Sequence, residues 1–155
     1  MDSTQKAKYI IKNNDFMVLS TADSSGKPWV SPVSFVYDDD YNLYWVSYKE
    51  ALHSKNIELR PEVAIVIFGQ LPGAMGGVYI DAKAEVLEDT AHLQTVIDLF
   101  KERRPQPTRF VTNSLADVTG DAVSRMYQAK PLNIWKRSDS MVNGQAITVR
   151  EPIFL

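Results

Sequence analysis

Cysteine is absent from this 155-residue sequence. That excludes disulfides, thiolate metal sites and thiol nucleophiles together. Histidine is scarce, at two residues, so a conventional zinc site is not expected. Charge of one sign is not in excess either, with a formal net charge of −2. Such a chain has no global attraction to nucleic acid or to an anionic membrane, and neither is expected as a partner. Apolar runs long enough to span a membrane are missing. The opening MDSTQKAKYIIKNNDF is too polar for a secretory signal. The expectation is a cytoplasmic protein.

What is present suits a folded domain. The hydrophobic share is 45%, which argues against disorder. The length fits one domain with a core of its own. Residues 1–155 show no repeat, low-complexity tract or linker, so a single domain is expected.

Periodicity sets out the elements. Residues 3–13 read as a helix capped by Ser3 or Thr4, with Ala7, Ile10 and Ile11 at helical spacing. Residues 16–21 read as a strand, and Asp23–Pro28 as a turn. Trp29–Tyr37 is a second strand, with Trp29, Ser31, Val33, Phe35 and Tyr37 on one face. After the turn Asp38–Asn42, a third strand runs from Leu43 to Ser47; the three make an antiparallel meander. Ser47-Tyr48-Lys49-Glu50 matches a capping box. It predicts a helix within residues 48–59, with Leu52, Asn56 and Leu59 on one face, ended by Arg60-Pro61.

Val63–Phe68 is a nearly continuous apolar run and reads as a strand buried on both faces. Residues 70–77 read as a loop and Val78–Leu87 as a strand. Glu88–Arg103 is the clearest helix, capped by Asp89 or Thr90, with Leu93, Val96, Ile97 and Phe100 as its stripe. Arg104-Pro105-Gln106-Pro107 breaks it, residues 108–116 are irregular, and a short helix over 117–127 is expected. Residues 132–136 and 146–150 alternate as a final strand pair around Asn143-Gly144, a strong hairpin signal. Strands dominate and tight turns join most of them. The fold class is mostly β, an antiparallel barrel with peripheral helices.

The chemistry concentrates at one strand-to-helix junction, Trp45–Asn56. A helix N-terminus presents unpaired amide N–H groups and the positive end of the dipole, which attract phosphate. Ser47, His53, Ser54 and Lys55 add side-chain donors there, and Lys49 lies nearby. On this segment alone the plainer reading is preferred: Ser47 and Glu50 cap each other, and Lys55 is a solvated helix charge.

The order of segments changes that balance. PWVSPVSFVYD (28–38), NLYWVS (42–47), HSKNIELRPEVAIVIFG (53–69), GGVYIDAKAEVLED (76–89) with its following helix, and PLNIWKRSD (131–139) occur in series. Together they resemble the pyridoxamine 5′-phosphate oxidase-like family of FMN-binding split barrels, over nearly the whole chain. The resemblance implies a six-stranded Greek-key split barrel that pairs as a homodimer, with FMN in each of two clefts at the subunit interface. It implies that Ser31, Pro32, Val33 and Ser34 run along the flavin ring, largely through backbone. Val46 and Ser47 match the pair that meets the flavin and phosphate side. Ser54 and Lys55 match the phosphate-binding pair, with His53 beside them. Trp135 matches an aromatic that reaches the flavin from the partner subunit. Pro32 fits such a place, because a strand edge turned toward a flat ring need not use the donor that proline lacks.

The sequence also departs from the family pattern. The family's glutamine on the strand after the long loop corresponds to Gly77. Its basic residue at the end of the second strand corresponds to Ser34 or Phe35. The last strand, QAITVREPIFL, has no histidine where the substrate motif has one. FMN binding is therefore expected and vitamin B6 oxidation is not. The leading expectation is an FMN-dependent oxidoreductase that transfers hydride to and from flavin N5, with an unidentified small-molecule substrate. A non-catalytic flavin-binding or flavin-sensing protein is the alternative from another class. Related split barrels keep deazaflavin F420 and haem open, the latter with His53 and His92 as the available axial ligands.

Other candidates read more plainly. Asp38-Asp39-Asp40 is a solvated turn rather than a metal site, since consecutive side chains point apart. GQLPGAMGG lacks the Lys-Ser or Lys-Thr of a phosphate loop. Arg103, Arg104 and Arg109 read as the charged end of a helix. Trp29, Tyr44, Trp45 and Tyr48 read as core or interface residues.

Overall fold

The computed structural model describes residues 1–103 and 114–155, with backbone alone at Gln70 and Leu71. In chain order the elements are α1 (Ser3–Lys12), β1 (Phe16–Ala22), β2 (Pro28–Ser34), β3 (Val36–Tyr37), β4 (Leu43–Tyr48), α2 (Leu52–Leu59), β5 (Glu62–Leu71), β6 (Ala74–Val86), α3 (Thr90–Arg103), β7 (Ser124–Val142) and β8 (Gln145–Ile153). A 3₁₀ turn at Leu115–Asp117 precedes β7.

The strands form one antiparallel sheet in the order β2-β1-β5-β6-β7-β4-β3, with β8 paired to β7. β2 and β3 are two pieces of one segment interrupted at Phe35. The first piece pairs with β1 and the second with β4. A single bent strand thus joins both ends of the sheet order and closes it into a barrel. Counted this way, the barrel has the six strands expected, and the predicted meander is present. Trp45–Tyr48 of β4 pairs with β7 alone, and β2 pairs with β1 alone. The slot between them is the split, and α2 packs there against β1 and β2.

Alternation along the strands fills the interior with Met17, Leu19, Val33, Phe35, Leu43, Trp45, Ile65, Ile67, Val78 and Ile80, all buried. Trp45 and Tyr127 stack across neighbouring strands at 5.6 Å between centroids. Ala7, Ile10 and Ile11 of α1 plug one end. Outside, the α3 stripe Leu93, Val96, Ile97 and Phe100 covers Val36, Tyr44 and Met126. Asp38 anchors that side. It accepts from the amide N–H groups of Asp40 and Asn42 and from Tyr44 Oη at 2.8 Å, and His92 Nε2 lies 3.1 Å from the same hydroxyl. Asp38 is therefore an organiser of its turn.

Several expectations are corrected. α1 ends at Lys12, and its cap is Asp2 rather than Ser3 or Thr4: Asp2 Oδ1 accepts from the Gln5 amide at 2.7 Å, and Gln5 Oε1 from the Asp2 amide at 2.9 Å. The expected loop 70–77 is mostly strand, since β5 and β6 run on to a turn at Pro72-Gly73. The expected helix 117–127 does not form. β7 begins at Ser124 because it must pair with β4 on one side and β6 on the other, which puts Met126 outward under α3 and Tyr127 inward. The final hairpin is longer than expected, but its turn is as expected, with Asn143 at φ 50° and Gly144 at φ 77°. Arg104 to Pro107, Arg109 and most of the irregular stretch lie outside the described residues.

Ile10 is fully buried at the plugged end of the barrel. Ile10→Ala should cost about 3 kcal/mol of unfolding free energy, the transfer and cavity terms of a large-to-small core change. Urea unfolding at unchanged m-value measures it, and a loss under about 1 kcal/mol would mean that α1 is not part of the cooperative core.

Candidate functional site

β4 delivers the chain to the slot, and a turn over residues 49–51 reverses it into α2. The turn is pinned by the Ala51 amide on the Tyr48 carbonyl and the Lys49 amide on Val123, each at 3.0 Å. The N-cap of α2 is Ala51, and no side chain caps the helix. The capping box expected from Ser47 and Glu50 is therefore not formed. The helix starts later than that motif needs, and both side chains have other partners. The first-turn amides of Leu52, His53 and Ser54 are consequently not met by a capping side chain. This is the arrangement that makes a helix N-terminus an anion site.

Around that N-terminus the side chains are ordered by short contacts. Ser47 Oγ and His53 Nε2 lie 2.9 Å apart. Burial pulls the His53 imidazole below its ordinary pKa of 6.5, so the ring is neutral at physiological pH. Lys55 Nζ pairs with Glu50 Oε2 at 2.8 Å, with both side chains about half exposed. That pair holds the Glu50 carboxyl below the ordinary carboxylate range and raises the Lys55 ammonium. Ser54 is fully buried, and its hydroxyl donates to the Tyr48 carbonyl at 2.9 Å. In this arrangement its side chain fixes the turn.

Sequence reading missed two participants. Asn56 Nδ2 donates to Thr21 Oγ1 at 3.0 Å, with both residues buried, so α2 is bolted to β1 by a polar bond. Leu52, Asn56 and Leu59 were expected to share one face, but they do not share one environment. Leu52 and Leu59 are exposed, and Ser54, Asn56 and Ile57 are buried. The available signal was an asparagine next to Ile57 in a helix otherwise rich in charge. Glu50 as the partner of Lys55 was the other omission.

The remaining expected residues lie on nearby strands. Val46 and Ser47 point to opposite faces, and Val46 packs toward the α3 cluster. Only Ser47 of that pair turns its side chain to the slot. Ser31 Oγ accepts from Trp29 Nε1 at 3.0 Å. Val33 is buried in the barrel, and Pro32 is exposed on the outer face. Pro32 stands in a row with Val18, Val66, Tyr79, Trp135 and Pro152 across neighbouring strands. Among the described residues no helix covers this face, and Phe16, Val30 and Phe68 on it are more than half exposed. Trp135 is four strands from Pro32, roughly 20 Å along the sheet. It is also about 33 Å along β7 from the residue paired with Ser47. Within one chain Trp135 does not join the other candidates.

An apolar hollow of about 580 Å³ lies on the same face, floored by Val66, Gly77 and Tyr79 and walled by Phe68, Met75 and Arg137. Another, of about 500 Å³, adjoins Tyr37 and Arg103. There the Arg103 guanidinium sits 4.1 Å over the Tyr37 ring, so Arg103 packs on an aromatic at the end of α3. Among the described residues no cluster of three or more histidine or acidic side chains could hold a metal ion. No helix there is long and apolar enough to cross a membrane.

The profile of the family described as pyridoxamine 5′-phosphate oxidase matches residues 3–127. No curated protein matches by sequence. Among solved structures, the haem storage protein HutZ from Vibrio cholerae is similar with a TM-score of 0.67 at 20% identity, covering 88% of this chain and 95% of that one. The General Stress Protein 26 from Bacillus anthracis gives 0.62 at 19%, covering 96% and 100%. A haem-binding protein from Mycobacterium smegmatis gives 0.67 at 15%, covering 97% and 58%. At these identities the likeness is one of fold.

His53 offers a check on the local environment. Its folded-state pKa is depressed, so the stability it contributes is present above 6.5 and is lost as pH falls through the folded value. Replacing it with glutamine should reduce the loss of stability on going from pH 7 to about pH 5. Urea midpoints of both proteins at the two pH values measure this, and parallel losses would place His53 in water.

Proposed function

Because the chain belongs to the pyridoxamine 5′-phosphate oxidase family, which it matches over residues 3–127, we propose that it is an FMN-dependent oxidoreductase working as a homodimer on a small molecule. The observation that carries this reading is the N-terminus of α2, which no side chain caps, beside Ser47, a neutral His53 and Lys55. A phosphomonoester needs several donors and one or two positive charges. The first-turn amides and Lys55 supply both. Glu50 must release Lys55, which costs little for an exposed pair. His53 and Ser47 can donate without adding charge. Glu50 and the buried Asn56–Thr21 bond then have distinct roles: one holds the cation in waiting, the other holds the helix.

The ring of the cofactor would lie along Ser31–Ser34 on β2, where Pro32 and the unpaired edge leave a flat strand. Bound FMN supplies hydride transfer at its N5 atom. The chain itself orients the ring, binds the phosphate and keeps water out. The bare apolar row supports a homodimer. A two-fold contact through this face is self-complementary. It would set the partner subunit's Trp135 over the strand that carries Pro32. Gly77 and the histidine-free last strand leave vitamin B6 oxidation outside this reading.

Haem is the second reading, favoured by the names of two structural neighbours. It asks for an axial ligand. Both histidines of the chain have Nε2 within hydrogen-bond range of a hydroxyl and would have to exchange that contact for iron. A phosphate at α2 requires no such change.

The visible spectrum of the purified protein separates the readings. Flavin bands, or flavin uptake on adding FMN, are expected; a Soret band favours haem, and a protein that stays colourless with added FMN overturns the proposal. Lys55→Ala should weaken FMN binding about tenfold to a hundredfold, the value of one charged contact, and leave riboflavin affinity nearly unchanged. An equal loss for both ligands would remove Lys55 from the phosphate site. Anaerobic reduction of bound flavin by NADH or NADPH distinguishes an enzyme from a flavin-binding protein.

A further inference from the structure

The end of the barrel under α1 holds a buried lysine that forms no ion pair among the described residues. Lys136 stands on the inward face of β7 opposite Val78 and is 3% exposed. Its ammonium donates to the carbonyl oxygens of Arg137 at 2.8 Å and Met75 at 3.3 Å. Among the described residues it forms no ion pair, and an ammonium has three donors, so one is left over. Gly76, at φ +117°, makes the space: a Cβ there would fall 3.0 Å from Lys136 Nζ.

The neighbours sharpen the anomaly. Burial, then the charges of Lys6 and Arg137, hold Lys136 below the ordinary lysine range, and the opposing pull of Asp139 and Glu151 is weaker. Glu151 Oε2 accepts from the Ser3 hydroxyl at 2.7 Å, and Asp139 lies 3.8 Å from the Arg137 guanidinium. Glu151 stands opposite Lys136 in the β7–β8 ladder, but each carboxylate makes its close contact with another group, and neither forms an ion pair with Lys136. A hollow of about 250 Å³ opens between Ser3, Lys6, Met75, Lys136, Arg137 and Asp139.

A buried cation flanked by two others is costly unless an anion completes the group. We propose that this hollow binds a small oxyanion, the phosphate or carboxylate group of a metabolite, between Lys136 and Lys6 with Arg137 at the rim. It is separate from the α2 site, about 35 Å away along β7, and does not depend on flavin binding.

Thermal unfolding of the FMN-free Lys55→Ala protein, which removes the cation of the α2 phosphate site, tests this with inorganic phosphate, acetate and chloride at matched ionic strength. A ligand that binds only the folded state raises Tm in a saturable way. Phosphate or acetate should do so and chloride should not. Lys136→Met should abolish the response and raise Tm in anion-free buffer, because it removes a buried charge. Lys6→Gln should weaken the anion about tenfold, and it decides the matter if Lys136→Met does not fold. A response equal to that of chloride, one that survives in Lys136→Met, or an unchanged affinity in Lys6→Gln overturns the proposal.

Discussion

The interruption of one strand at Phe35 is the constraint on which the rest of the structure depends. Phe35 is buried in the barrel, and its amide donates to the Asp15 carbonyl at 3.2 Å. The backbone there leaves the ladder, so the segment before it stays with β1 and the two residues after it join β4. Closure of the barrel and the opening of its side are the same event. Had the strand stayed straight on β4, no slot would remain between β2 and Trp45–Tyr48. α2 would then have nowhere to seat.

The seat of α2 adds polar bonds to an apolar contact, Ile57 packing into the barrel core. Asn56 on Thr21 and Ser54 on the Tyr48 carbonyl fix its position, while Leu52 and Leu59 remain outside. A buried hydrogen bond is directional and expensive to leave unmade. Such a seat holds the helix N-terminus in one orientation more strictly than an apolar contact would. The two outer faces of the barrel divide in the same spirit. One carries α3, tied down by the Asp38–Tyr44–His92 chain. There burial, then the hydrogen bond to Asp38, pushes the Tyr44 phenol well above its ordinary range. The other carries the row from Pro32 to Trp135 with no helix upon it among the described residues, and it is the face on which the proposed homodimer rests.

Local rules carried the reading of the sequence a long way, and long-range rules limited it. The 3.6-residue stripe of α3 and the Asn143-Gly144 turn depend on near neighbours, and they were legible. The run Val63–Phe68 is a strand as expected but is buried on one face only: Val63, Ile65 and Ile67 point inward while Ala64 and Phe68 are exposed, because no layer among the described residues covers its outer face. The helix expected over 117–127 was not avoidable from local pattern. Whether Arg125, Met126 and Tyr127 lie on one helix face or on two sheet faces depends on β4 and β6, far away in sequence. The capping box at Ser47 failed for a related reason: Ser47 finds His53 and Glu50 finds Lys55, and neither partnership has a fixed sequence spacing. Of the candidate residues, the structure brings Ser47, His53 and Lys55 to one helix N-terminus and turns Ser54 inward. Trp135 it leaves far off on the bare face. Lys136 was invisible because nothing in NIWKRS says which neighbour points into a barrel; the alternation becomes readable only once Val78 is known to lie opposite.

In the proposed homodimer each flavin site is assembled from α2 of one subunit and Trp135 of the other. Mixed dimers test it most directly. A subunit carrying Lys55→Ala is combined with one carrying Trp135→Ala, and tight FMN binding is counted per dimer. If the site is shared, one cleft receives both lesions and the other receives neither, so the mixed dimer regains one tight site that both parent homodimers lack. If the mixed dimer binds no better than its parents, each site lies within a single chain and the account is wrong.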